Sequence, residues 1–452
     1  MANLKIIAIV VVIVLVIAGV GVVLLSNSTE KRTEEINLVT GLEAVGSGIY
    51  YDKSKIDPSN LFVTDAHGDV ELDSSGNVKY RAAGWNQLIV GSPGIISIQH
   101  IQLKTIVEIY LSDASKVDGP TKSYKLVAWT QGQDLKDGEV GYVVTGGGAT
   151  GIIGTNVSGQ SLAIGLTWQP QLVKVDADPK YDVLVRTNEL FPNQTCCVTI
   201  ANQSFIQSHP DVAERVIWAI VQGAEWLNQA KEKGKTNPND ADYQKLLQIG
   251  ATIAGQNFTT DDLKVAIEDV EYDWGDVNAN VNSPLTKLKS DVAIQAEDLY
   301  RTKDARYSAS ELGFSSYLDY ANGLVDDSIL KKVLSNGISN KPTFDSRYKV
   351  RFVFIEGDIH QLPLHIANNV LPGQTQSYFD QVGIDFERIG VSIGSAVVAA
   401  LKANEADFGV SGQPSIIVDN INNKLTTADT LKSRTSANVI DPFNFGTEAA
   451  KA

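Results

Sequence analysis

The apolar and polar positions divide the 452-residue chain into one long apolar run and a body of short alternating elements. The run, Ile6 to Leu25, holds no charged residue; only Lys5 and the amino terminus precede it, and the polar linker Asn27 to Glu35 follows. At ~1.5 Å per residue it would span ~30 Å, the thickness of a bilayer core. It is expected to be an uncleaved anchor, with a cleaved signal segment as the alternative. Beyond it, residues 36–51 predict two short strands about a Gly-Ser-Gly turn, and 52–79 an irregular excursion. Strands are expected at 88–90, 124–129, 162–168, 197–200, 351–355 and 407–410. Helices are expected at 95–111, 211–231, 362–370, 395–404 and 414–422, with 235–335 mostly helical. Ser208-His209-Pro210-Asp211 predicts a capping-box helix start. Strands alternating with helices imply an α/β fold with a largely parallel sheet.

Charge and composition narrow the function. Lys and Arg total 38 against 53 Asp and Glu, a net −15, which argues against a nucleic-acid partner. The two cysteines exclude a disulfide-stapled scaffold and a four-thiolate zinc or iron–sulfur module. Five N-x-S/T sequons start at Asn27, Asn156, Asn193, Asn202 and Asn257 and favour a glycosylated body outside the cell. Lys31 and Arg32, just after the apolar run, point weakly the other way. The Gly146-Gly147-Gly148 stretch lacks the ending of a phosphate-binding loop and is taken as a loop.

Candidate chemistry lies where strands end. In open α/β sheets ligands bind beyond the carboxyl ends of strands, where helix starts offer free N–H groups and partial positive charge. Five such junctions supply the candidate ligand-binding residues: Gly46 and Ser47; Ser92, Gly94 and Ser97; Trp168 and Gln169; Asp358, His360 and Gln361; and Ser411, Gly412 and Gln413. Glycine lets the backbone approach a ligand, Ser, Gln and His direct hydrogen bonds, and Trp168 offers a stacking face.

These segments resemble a family. Lys349-Val-Arg-Phe-Val-Phe-Ile-Glu-Gly-Asp-Ile-His360-Gln361-Leu-Pro is similar to the opening of the substrate-binding proteins for nitrate, sulfonate, taurine and thiamine-pyrimidine uptake. So are Tyr378-Phe-Asp-Gln-Val-Gly-Ile-Asp and Ala400-Leu-Lys-Ala-Asn-Glu-Ala-Asp-Phe-Gly-Val-Ser-Gly-Gln-Pro. Gly46-Ser-Gly-Ile, Ser92-Pro-Gly-Ile-Ile-Ser-Ile-Gln-His100, Thr167-Trp-Gln-Pro170 and Phe205-Ile-Gln-Ser-His-Pro-Asp-Val resemble later landmarks of the same family. Here the family's opening segment stands last, so the resemblance implies a circularly permuted, two-lobe periplasmic-binding-protein-like fold (type II). One lobe would combine 36–84, 185–340 and 349–424, with 341–348 as the joining linker. Residues 85–184 would form the second lobe, 1–35 the anchor and linker, and 425–452 a tail. The resemblance further implies capture of a small polar or anionic organic solute at the cell surface, delivery to an ABC permease, and no enzymatic activity or cofactor.

Two alternatives stand beside this. One is an enzyme like the pyrimidine synthases of thiamine biosynthesis, which resemble the family and carry a longer cysteine cluster where this chain has only Cys196-Cys197. The other is a surface or assembly subunit built on a binding-protein fold. The five histidines, His67, His100, His209, His360 and His365, show no metal-like spacing, so no metal is expected. The adjacent cysteines are expected to be a small buried apolar pair.

Overall fold

A computed structural model describes residues 35–67, 69–72, 78–145, 156–157, 160–192, 194–275 and 285–428. The apolar run 6–25, the glycine stretch 146–148, the sequons at Asn27 and Asn193 and the tail from 429 lie outside the described residues. Among the described residues no helix is long and apolar enough to cross a membrane.

Eleven strands build the two main sheets. They are β1 (Ile36–Gly41), β2 (Ser47–Asp52), β3 (Ile89–Ser92), β4 (Lys125–Ala128), β5 (Glu139–Val144), β6 (Ile164–Trp168), β7 (Tyr181–Arg186), β8 (Cys197–Asn202), β9 (Tyr348–Ile355), β10 (Ile384–Val391) and β11 (Phe408–Gly412). The five-stranded sheet has the order β1-β8-β11-β9-β10, and the six-stranded sheet β7-β2-β6-β3-β5-β4. Both are mixed rather than largely parallel. In the first, β8 runs antiparallel to β1 and β11; in the second, β2 runs antiparallel to β7 and β6. These are the strands by which the chain enters or re-enters a sheet. The remaining pairs, β9 with β10 and β11, β3 with β5 and β6, and β4 with β5, are parallel; β4 and β5 are joined by the loop 129–138, and helices intervene between β9 and β10 and between β3 and β4.

The sheet pairing corrects one boundary. Residues 36–84 do not belong to one lobe: β1 pairs with β8, but β2 lies inside the six-stranded sheet. The chain therefore crosses from one sheet to the other near residues 42–46 and returns between β7 and β8. The strands of 348–412 share a sheet with β1, and Thr426 Oγ1 donates to the Glu35 carboxylate at 3.1 Å, so residue 426 lies beside the start of β1.

Each sheet has its own apolar core. Phe352, Phe379 and Phe408 pack at the centre of the five-stranded side, and Phe62, Tyr80 and Trp85 at the centre of the other. A long helix, α3 (Pro210–Thr236), underlies the first, after α1 (Ile98–Glu108) and α2 (Gln171–Ala177); α4 (Leu362–Ala367), α5 (Gly394–Lys402) and α6 (Gln413–Asn422) follow. The capping box expected before α3 is not made: His209 takes the N-cap position without a side-chain cap bond, and the Ser208 hydroxyl donates back to the Ser204 carbonyl at 2.7 Å. Pro210 at the first turn still starts the helix, since its missing N–H needs no partner there. The Asn202 sequon is corrected too. Its side chain is buried and donates to the Ala406 carbonyl at 3.0 Å, so it cannot carry a glycan in the folded chain.

Helices α3 and α4 touch at Gly223, where an added Cβ would lie 2.3 Å from the Pro363 carbonyl oxygen. Gly223→Ala gains at most ~1 kcal/mol of helix propensity but forces backbone apart. The expected net result is a loss of ~1–3 kcal/mol, read as a lower urea midpoint with unchanged slope.

Candidate functional site

A cleft of about 270 Å³ opens where the carboxyl ends of strands from both sheets meet. From the six-stranded side it is lined by Gly94, Ile95, Ser97 and Trp168, and from the five-stranded side by Ile355, His360, Ile393 and Gly412, among others. The turn after β3 leads into α1, the turn after β10 into α5, and the end of β11 into α6; the first residues of all three helices border the cleft. Free N–H groups at the starts of α1 and α5 favour a partial negative charge on whatever binds, whereas in α6 Gln413 N donates to the Cys196 carbonyl and Pro414 has no N–H. No Lys or Arg stands among the described residues that line it. Ile95 and Ile393, from opposite sheets, are exposed apolar residues at this cleft.

The candidate residues divide into two layers. Asp358, His360, Gly412, Gly94, Ser97 and Trp168 line the cleft. The Ser97 hydroxyl is already committed as the N-cap of α1, accepting from His100 N at 3.2 Å and donating to the Gly94 carbonyl at 2.8 Å. Trp168 is not core, and its indole Nε1–H is buried without a partner at the cleft wall. The other residues stand behind the wall. Gln361 is fully buried; its amide donates to Asp358 Oδ2 at 3.1 Å and its carbonyl accepts from Ile355 N at 3.1 Å. Gln413 donates to the Thr195 carbonyl, Gln169 to Asp269, and Ser92 Oγ meets His100 Nδ1 at 2.9 Å. Ser411 is buried against the Gly394 carbonyl, and Ser47 Oγ accepts from Gln99 at 2.9 Å. Gly46 is there because the chain passes His360 so closely that a Cβ would sit 2.6 Å from His360 Nε2. Gln361 and Gln413 are thus scaffold, and their loss would act on folding before binding.

The floor holds residues the sequence reasoning missed. Glu43, on the first crossing between sheets, is fully buried, and its Oε1 accepts from Cys197 N at 3.0 Å. His360 Nδ1 stands 3.2 Å from Asp358 Oδ1 and 3.7 Å from Glu43 Oε1. Asp358 also accepts from His360 N at 3.0 Å, capping the short turn that carries the ring. Cys196 and Cys197 are both buried free thiols, and Cys197 Sγ lies 4.0 Å from Asp358 Oδ2.

Burial works against a charged His360, but the Glu43 and Asp358 carboxylates outweigh it and push the imidazole up to about 9. Burial, then the neighbouring Cys196 thiol, pushes Glu43 well above the usual carboxylate range. The Cys197 thiol is pushed up by its contact with Cys196 and then by burial.

Glu43 left a trace in the sequence: it is the only charged residue between 36 and 51, in an otherwise apolar stretch. The sequence matches no protein-family profile and no curated protein. Solved structures similar to it include the zinc-bound ligand-binding component of an ABC-type import system from Staphylococcus aureus. That likeness has a TM-score of 0.34 and 13% identity over 67% of this chain and 76% of that one. The periplasmic nitrate-binding protein NrtA from Synechocystis PCC 6803 is similar with a TM-score of 0.42 and 10% identity, over 70% of this chain and 72% of that one.

Two other buried histidines oppose folding in acid. Burial pushes His100 down to about 4 and His365 down to about 3. Both stay neutral in the folded chain where the unfolded chain takes up protons, near pH 6.5. Their contribution is nil above that pH and destabilising below it, by up to ~1.4 kcal/mol per pH unit for each histidine, while the raised Glu43, Asp298 and His360 act in the opposite sense. His365 Nε2 is buried without a partner, so His365→Leu is expected to keep stability near pH 7.5 and to gain stability over the parent chain as pH falls from 6.5 to 5, by up to ~1.4 kcal/mol per pH unit, measured by urea denaturation across that range.

Proposed function

We propose that the body is an extracytoplasmic solute-binding protein that holds one small organic molecule between its two sheets. The observation that carries this reading is the convergence of three helix starts, from both sheets, on one cleft at the carboxyl ends of the strands. The lining supports a solute with a compact polar or anionic head and an apolar body. The head would rest against the helix N–H groups and the Trp168 indole N–H, and the body against Ile95, Ile355 and Ile393. A bare inorganic oxyanion, the other end of the range the resemblance suggests, would leave water for a cleft with no Lys or Arg to replace it.

Two further parts of the reading follow from the resemblance in sequence. The permuted order is supported by the strands of 348–412 sharing a sheet with β1 and by the Thr426–Glu35 contact. The apolar run 6–25 would tether the body at the membrane, close to an importer permease that receives the solute.

The test is to fill the cleft without disturbing the fold. A Cβ at Gly94 meets nothing within 4 Å, so a larger side chain there enters open space. Small molecules released from natively purified protein are identified by mass spectrometry, and their rebinding is measured by calorimetry. Gly94→Leu is expected to weaken rebinding tenfold or more, about 1.4 kcal/mol, while the thermal midpoint of the ligand-free chain stays unchanged. Unchanged affinity would place the solute elsewhere.

A further inference from the structure

Glu43, Cys196, Cys197 and His360 each present one donor atom, and these four atoms lie within 4.8 Å of one another. They come from three separated parts of the chain: the first crossing between sheets, the return crossing, and the turn after β9. Neighbouring residues of a regular strand point to opposite faces, so two adjacent cysteines should not share a target. Here the regular ladder has ended and its hydrogen bonds are shared. Leu42 N and Glu43 N both donate to the Cys197 carbonyl, at 3.1 and 3.4 Å, while Cys196 N donates to the Glu43 carbonyl at 3.1 Å. At this irregular ladder end both thiols meet Glu43 and His360.

A second observation points to a ligand at this place. Glu43 Oε2 and His360 Nε2 are buried without a well-formed hydrogen bond; the partners within reach are the weakly bonding Cys196 thiol and the Gly46 backbone. Unsatisfied groups of this kind are costly and rare in folded proteins. The thiols are reduced and unpaired with each other.

We propose that this cluster binds a single thiophilic divalent cation of the Zn²⁺ type at the floor of the cleft. Two thiolates, an imidazole nitrogen and a carboxylate oxygen are the donors such an ion takes in fourfold coordination, whereas Mg²⁺ and Ca²⁺ take oxygen donors. Asp358, 3.2 Å from the same ring and held by Gln361, is the carboxylate behind the donors that fixes the imidazole. Donor pairs around a zinc-sized ion stand closer than 4.8 Å, so binding draws the crossings toward His360. The inference goes beyond solute capture and stands whether or not the cleft takes an organic molecule.

The full chain, purified in mild detergent under a thiol-free reductant and stripped with a chelator, is titrated with Co²⁺ and then Zn²⁺. The expected result is about one equivalent of Co²⁺, with a thiolate-to-cobalt charge-transfer band in the near ultraviolet that Zn²⁺ abolishes and Mg²⁺ or Ca²⁺ does not. Cys196→Ser combined with Cys197→Ser removes the band, and His360→Ala weakens binding about a hundredfold or more. A measurement on the unaltered chain guards against variants that fail to fold: Zn²⁺ should protect both cysteines from alkylation, counted by mass. Absence of the band, a band that survives in the double variant, or alkylation indifferent to Zn²⁺ would each overturn the proposal and leave any bound metal to surface carboxylates.

Discussion

A backbone that leaves one sheet for another carries N–H and C=O groups into the interior, where each unpaired group costs ~1–3 kcal/mol. In this chain the two crossings solve the problem on each other. Residues 42 and 43 donate to Cys197, Cys196 donates to Glu43, and Ala44 bridges to Thr195. Neighbouring segments close the remainder: Asp273 N donates to the Leu42 carbonyl, Gln169 N to Gly46 and Gln413 N to Cys196. Val45 then turns the chain with a φ of 61°, a conformation a β-branched residue adopts only under constraint. The cleft floor is a by-product of this junction. Whatever side chains sit on the crossings are delivered to the place where the sheets meet, and here they are a carboxylate and two thiols.

Buried ionisable groups seldom persist without compensation, because removing a charge from water costs several kcal/mol even after relaxation. The floor holds Glu43, Asp358 and His360 together, so His360 offsets the two carboxyls that would otherwise oppose each other. The same argument explains why Gln361 is fully buried behind them. It joins the end of β9 to Asp358 and thereby fixes the carboxylate that orients the ring. Helical layers from the two sides are also tied by ion pairs away from the floor, Lys104 with Asp304 and Lys174 with Asp262, each at 2.8 Å. These pairs are partly exposed and contribute little stability on their own, but they fix how the two sides approach.

Much of the layout was legible from pattern because strands and helices alternate with clear turn chemistry. The junctions at 92–97, 167–169, 358–361 and 411–413 are where the cleft forms, since a strand end followed by a helix start is a local property. What stayed hidden was non-local. Nothing in the spacing of Ser47 tells that β2 joins a different sheet from β1, because a five-residue connection can turn back or cross over equally well. Residue type also fails to say which junction side chains face inward: Gln361 and Gln413 satisfy buried backbone instead of the cleft. Setting the histidines aside as ligands rested on spacing along the chain, whereas Glu43, the cysteine pair and His360 are assembled by the crossings between sheets.

The composition of the cleft limits what it can select. An anion that leaves water needs its lost hydrogen bonds returned, and the lining offers helix-start N–H groups and the side chains of Gln99, Ser392, Ser395 and Ser415. Between these points stand Ile95, Ile96, Ile98, Ile355 and Ile393, which reward apolar surface and shape. Charge alone is therefore a weak discriminator here, since no lining Lys or Arg steers a small oxyanion inward. A molecule with a compact polar end and a short apolar body meets both demands at once. Beneath these walls the floor is set by His360 and the two cysteines, with Glu43 buried behind them.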